Sequence, residues 1–187
     1  NVTGQNNTWV GFKAGFGASG QSNSSNVGVG SNALLSITTG AYNVAVGGRC
    51  GDALTDGASN VFIGEFAGST TTSVSNAVLI GQSAGGGGNM TAGGTVAIGL
   101  SALGALTSGA GNLAIGHQAL STHTTGAKNM AIGYQAMLDT DAGSTSLGST
   151  ENVFIGYQAG SGTWTDAASN YNVAVGNSIM RGVLNGA

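Results

Sequence analysis

Few side chains in this sequence could do chemistry, and fewer stand at spacings that would let them act together. The one thiol is Cys50. A nucleophilic cysteine needs a base beside it, and its neighbours offer only Arg49 and Asp52. His117 and His123 stand six residues apart with no cysteine or carboxylate near them. That is short of a metal-ligand set, so both read as surface histidines. Asp139, Asp141 and Glu151 share one stretch, and Asp139-Thr-Asp141-Ala-Gly143 resembles the opening of a calcium loop. Its glycine comes one place early, however, and Glu151 stands thirteenth where a twelfth-position acid is needed, so a solvated loop is the simpler reading. Paired carboxylates could also cleave glycosidic bonds, but the seven acids are scattered through turns. The run Gly85–Gly88 lacks the Lys-Ser/Thr of a phosphate loop. What remains is a row of amides, Gln118, Gln135 and Gln158, with Tyr134 and Tyr157 beside them. Amides with aromatic platforms suit sugars, which makes these five the candidate glycan contacts. A soluble outer face with amide-to-amide bonding is the plainer alternative. No catalytic residue, metal site or cofactor is expected, and the chain reads as a non-enzyme.

The background in which these residues sit is unusual. The 187 residues include 36 glycines and no proline, with four Lys and Arg against seven Asp and Glu. So few cations exclude a nucleic-acid surface. Disorder usually brings low hydrophobicity, but 41% of this chain is hydrophobic. No apolar run is long enough to span a membrane. A single cysteine cannot form an internal disulfide. The chain opens on Asn1 without a signal-peptide pattern, and reads as a piece of a longer protein.

One repeat accounts for nearly all of it. Val/Ile-Gly pairs end at Gly11, Gly30, Gly47, Gly64, Gly81, Gly99, Gly116, Gly133, Gly156 and Gly176, with a modal spacing of 17. A period of 17 is too short for helical pairs or leucine-rich repeats and suits one coil of a β-helix or β-roll. Residues 1–187 therefore read as a single all-β domain, a parallel solenoid of about ten short coils. Stacked at ~4.8 Å per rung, ten coils make a rod of roughly 48 Å.

Each repeat position then has an expected task. Val61 and Ile63, Met130 and Ile132, or Val153 and Ile155 alternate as strand residues do. They are expected to point into the coil. A second strand is expected along segments such as Gly133-Tyr134-Gln135-Ala136. Asn opens eight of ten repeats, including Asn60, Asn112 and Asn129. These asparagines are expected to adopt left-handed backbone and to stack into an amide ladder. Cys50 occupies a position filled by Ala in most other repeats, as a small core residue. The middle strand position holds Trp9, Gly28, Ala45, Phe62, Leu79, Ala97, Ala114, Ala131, Phe154 and Ala174 and is never polar. If the flanking residues face inward, this row faces outward and needs cover. Trp9, Ala45, Phe62, Leu79, Ala97, Ala114, Ala131, Phe154 and Ala174 are therefore the expected chain–chain interface of a homo-oligomer.

The stretches Asn112-Leu-Ala-Ile-Gly-His-Gln-Ala-Leu120, Asn129-Met-Ala-Ile-Gly-Tyr-Gln-Ala-Met137 and Asn152-Val-Phe-Ile-Gly-Tyr-Gln-Ala-Gly160 resemble repeats of bacteriophage tail-fibre and tail-spike proteins. They are also similar to the head repeats of trimeric autotransporter adhesins. The resemblance covers all ten repeats. It implies a homotrimer of parallel β-coils on a virion tail fibre or at a cell surface. The implied task is attachment to a host glycan or protein receptor, with no nucleic acid and no membrane insertion. A bacterial surface adhesin or filament subunit is the alternative, and a glycan-degrading spike a third.

Overall fold

The computed structural model describes residues 4–17, 22–140, 148–164 and 168–182. Ten three-residue strands, from β1 (Thr8–Val10) to β10 (Val173–Val175), form one parallel sheet in strict sequence order. Each strand pairs only with its neighbours in the sequence, with like positions opposite one another: Met130↔Val153, Ala131↔Phe154, Ile132↔Ile155. This is the all-β solenoid that the period of 17 predicts. The rungs are tied on both sides of every strand. Met130 N–H donates to Asn152 O at 2.7 Å, and Gly133 N–H donates to Ile115 O at 2.7 Å.

Two expectations are corrected by the backbone. The Gly-x-x-Ala segment is a tight turn rather than a second strand. Gly133 has φ 138, Gln135 φ 53 and Met137 φ 50. Alternating left-handed residues curl the chain back upon itself, which an extended strand cannot do. The rungs still bond to one another there, as when Gln135 N–H donates to His117 O at 2.8 Å. The repeat asparagines are not the left-handed residues either. That conformation falls on the residue before them, such as Ser59 (φ 59) or Lys128 (φ 58).

The third correction concerns which face is inside. Ala45, Phe62, Leu79, Ala97, Ala114, Ala131 and Phe154 are fully buried within their own chain, Ala174 nearly so, and Trp9 is half-buried. These nine residues, expected at a chain–chain interface, build the core instead. The Val, Ile, Leu and Met residues on either side, expected inside, face outward and are half-buried or exposed. The physical reason is room. The inward row packs against the residue six places later, and the two compensate in size, except that Ala45 and Gly51 are both small and the space there is taken by Phe62 and Leu34 from the adjoining rungs. Ala97, Ala114 and Ala131 stand with Leu103, Leu120 and Met137; Phe62, Leu79 and Phe154 stand with Gly68, Gly85 and Gly160. A methyl group on Gly160 would run into the Phe154 ring at 2.5 Å, and one on Gly28 into Trp9 at 2.7 Å. Interiors packed to crystal density demand such exchange.

The inward asparagines form the expected ladder. Asn129 Nδ2 donates to Asn112 Oδ1 (3.2 Å) and to Ser149 O (2.9 Å), while Asn129 Oδ1 accepts from Asn152 N (3.1 Å) and Asn152 Nδ2 (3.0 Å). The same pattern joins Asn26, Asn43 and Asn60 and ends on Ala77 N–H at 2.9 Å. It lapses at Ala77 and Thr95, where Thr95 Oγ1 is buried with no partner among the described residues. Thr95→Asn should therefore restore a rung, offering Oδ1 to Asn112 as Asn112 does to Asn129. With one or two net bonds gained, the expected rise in unfolding free energy is about 1–2 kcal/mol. A urea melt would register it as a higher midpoint at unchanged slope, and a lower midpoint would refute the ladder's stabilising role.

Candidate interaction surface

The residues that could carry chemistry resolve as follows. Cys50 is fully buried, and burial pushes its thiol up to about 12. It is protonated at neutral pH and inert, as a small core residue should be. Its neighbours Arg49 and Asp52 bond to each other instead, Nε to Oδ2 at 2.9 Å. Asp141 lies outside the described residues. Of its companions, Asp139 Oδ2 accepts from Thr163 Oγ1 at 3.2 Å, and Glu151 pairs with Lys128 at 3.2 Å. Among the described residues no group of three or more His, Cys, Asp or Glu could hold a metal ion.

His123 corrects its reading as a surface residue, for it is fully buried. It occupies the inward corner that Leu54 and Leu106 fill in other coils. Its Nε2 lies 2.9 Å from Gly126 O and its Nδ1 3.0 Å from Thr140 Oγ1. A carbonyl oxygen can only accept, so Nε2 carries a proton toward Gly126 O, while Asn129 Nδ2, 3.2 Å from the same nitrogen, directs its two protons to Asn112 Oδ1 and Ser149 O. Those bonds are what make a buried imidazole tolerable there. The repeat does carry the signal, since His123 follows Gly116 by seven residues as Ile37, Leu54 and Leu106 follow Gly30, Gly47 and Gly99.

Gly85–Gly88, by contrast, borders an open groove. Ser83, Gly86, Gly87, Ser101, Gly104, Ala105 and Ser121 line it, with a volume of about 380 Å³. Its walls are hydroxyls and backbone, without a charged group.

The amide and aromatic row is assembled as the repeat implies. Gln135 Nε2 donates to Gln118 Oε1 at 2.9 Å, and Gln158 Nε2 donates to Gln135 Oε1 at 2.8 Å. Beside them His117, Tyr134 and Tyr157 stack face to face, with centroids 5.0 and 5.3 Å apart. The structure thus adds His117 to the row. Stacking covers most of the ring faces, so ring edges and phenol hydroxyls are what this surface presents to a ligand. Gln135→Ala should break the amide chain at a half-buried position and lower stability by no more than about 1 kcal/mol. A thermal melt tests this, and loss of the folded baseline would show the row to be structural.

A further surface feature is formed by residues whose alternation had suggested an interior. The outward residues of the ten strands form two parallel rows, apolar except at Thr8 in the first. One runs through Val27, Val44, Val61 and Val78 to Met130 and Val153. The other runs through Val46, Ile63 and Ile80 to Ile132 and Ile155. Val10, Val173 and Val175 are 56, 70 and 65% exposed, and Val46 and Ile63 each 38%. Neither row contains a charge. A contiguous apolar stripe the length of the sheet is more than soluble monomers ordinarily leave uncovered. Among the described residues no helix is long and apolar enough to cross a membrane. Compared with family models, curated proteins and solved structures, the chain has no match.

Proposed function

We propose that this chain is a rigid, self-associating module of an attachment fibre, with the apolar strand face joining copies of it. The reading rests on one observation: nine successive rungs present two unbroken apolar rows outward, on a sheet whose inner face is already filled by its own coil. Strands apolar on both faces are strands buried on both faces. A parallel homotrimer, the number taken from the resemblance to phage tail fibres, closes three such faces around an axis and leaves none in water. Its place is the tail of a virion or the outside of a cell. The wall carrying Gln118, Gln135 and Gln158, beside the stacked rings, would then be the one offered to a host glycan or protein receptor.

The module acts by binding rather than by catalysis. Its one thiol is protonated and sealed in the core, and Asp52 and Glu151 are engaged with cations. Sedimentation equilibrium of the purified chain tests the assembly. A species of three chain masses is expected, two or four would overturn the number alone, and a monomer at all concentrations would overturn self-association. Binding to host cells tests attachment, and retention unchanged by Gln118→Ala with Gln158→Ala would remove that wall from the contact.

A further inference from the structure

The two sides of the apolar face are unlike, and they differ rung by rung. In the seven rungs between Ser25 and Tyr171, the row leading into the strands holds Tyr42, Ser59, Asn76, Gly94, Gly111, Lys128 and Glu151, while Ser25 itself stands with Ser31. The row leaving them, six residues later, holds Gly48, Glu65, Gln82, Leu100, His117, Tyr134 and Tyr157. Every glycine in either row has a large residue in the other: Gly48 with Tyr42, Gly94 with Leu100, Gly111 with His117. The next rung sets Lys128 with Tyr134, a cation with an aromatic ring, and the one after sets Glu151 with Tyr157, a carboxylate with a phenol.

Within the chain these residues contact their own row, His117, Tyr134 and Tyr157 by stacking and Lys128 with Glu151 by an ion pair, and nothing couples a leading residue to its counterpart across the strand. The paired residues stand on opposite sides of their own strand, seven residues from end to end. A methyl group built on Gly48 or Gly94 would meet nothing within 4 Å, and on Gly111 only the Lys128 stem at 3.8 Å. Gly94 and Gly111 at least sit at φ 71 and 70, where glycine is favoured. Gly48 has neither a crowded neighbour nor a left-handed backbone. Tyr42, meanwhile, is 68% exposed. In the core, the same six-residue exchange of large for small marks residues that touch. On the outside, the residues it would bring together must belong to different copies.

We infer that copies of this chain pack side by side, parallel and in register, the leading row of one against the leaving row of the next. Tyr42 then covers the partner copy at Gly48, Leu100 fills the space over Gly94, and His117 fills that over Gly111. The inference rests on the self-association proposed above and adds its direction, its register and the residues that set it. The contact is heterologous, so a rotation about the rod axis closes it into a ring. A face about 20 Å wide and roughly 45 Å tall offers some ~900 Å² per chain, or ~450 Å² to each of two neighbours; in a ring of three the contacts together cover ~2,700 Å², above the ~1,600 Å² of a standard interface.

Two measurements on the full chain test it. With Cys50→Ala as background, Tyr42→Cys with Gly48→Cys should, on oxidation, give a covalent ring resistant to denaturant whose mass counts the copies. Tyr42→Cys with Gln82→Cys, two rungs apart, should stay uncrosslinked. Separately, Gly48→Tyr should leave the far-ultraviolet circular dichroism unchanged but weaken association about tenfold, as overfilling a contact does. The swap Tyr42→Gly with Gly48→Tyr should restore it. Crosslinking of the out-of-register pair alone, or association indifferent to Gly48→Tyr in a chain that still assembles, would overturn the register while leaving self-association standing. A chain that is monomeric throughout would remove both.

Discussion

Ala131→Asp is expected to abolish the folded coil, whereas Ile132→Asp, one residue later, should leave the coil folded and separate it from its partners. Ala131 is fully buried, stacked between Ala114 and Phe154 in the neighbouring rungs. Among the described residues no Lys or Arg is buried on the inward side to pair with a carboxylate there. A buried unpaired charge costs several kcal/mol, against a total stability on the order of 5–15 kcal/mol. Coils bond only to their neighbours, so the damage should part the stack at that rung. Ile132 is half-buried and faces outward, where an aspartate keeps its hydration in the free chain. There the expected change in monomer stability is within about 1 kcal/mol. Circular dichroism melts, with sedimentation on the same samples, separate the two effects. If Ile132→Asp unfolded the chain and Ala131→Asp did not, the inner and outer faces of the strands would be the reverse of those described.

The second large effect is expected at the glycine that ends each strand. Gly133 has φ 138, a region closed to side chains, and a Cβ built there would strike the Gly156 carbonyl of the next rung. Gly133→Val therefore combines backbone strain with a collision that neither rung can relieve without breaking its hydrogen bonds. Gly176 supplies the internal control. Its φ is 150, but the nearest atom to its added Cβ is Ile179 Cβ at 4.0 Å. Gly176→Ala should thus carry strain alone, on the order of 1–3 kcal/mol. Gly133→Ala should lose clearly more, and Gly133→Val should not fold. Equal losses at positions 133 and 176, read from urea midpoints, would show that the rung-to-rung approach is not what demands glycine.

Much of this architecture is readable from the sequence, because it repeats. The spacing of Val/Ile-Gly pairs yields the coil, and the recurring Asn yields the amide ladder. Which face is inside is not readable from alternation alone, since a period of two defines two faces and labels neither. Two further signals label them. Asn60 and Phe62 share a face by parity, so an amide ladder within the coil puts the middle strand position there as well. The exchange of Ala114 with Leu120 against Phe154 with Gly160 says the same, since only touching residues need to share volume. The Gly-x-x-Ala turn could not have been read. Left-handed backbone at Lys13, Arg49, Phe66 and Gln135 runs against the preferences of those residue types. It is imposed by the hydrogen bonds to the rungs on either side. The burial of His123 was readable from the repeat, because it stands seven residues after Gly116 as Leu54 and Leu106 stand after Gly47 and Gly99; its bond to Thr140 was not, because that partner lies in the next rung.

The stack also has a consequence for how length is made. Each coil of 17 residues advances the rod by only ~4.8 Å, or ~0.3 Å per residue, where an α-helix gains about 1.5 Å. As a way of spanning distance this is about five times more extravagant in polypeptide. What the extra chain provides is girth, and an outer wall on which every rung repeats the same side-chain positions in the same orientation. Inserting or deleting one 17-residue unit would lengthen or shorten the wall by a single step without disturbing the steps around it. Such a design serves breadth of surface better than reach. It suits a protein whose extent is adjusted by counting repeats, as a ruler is by its graduations.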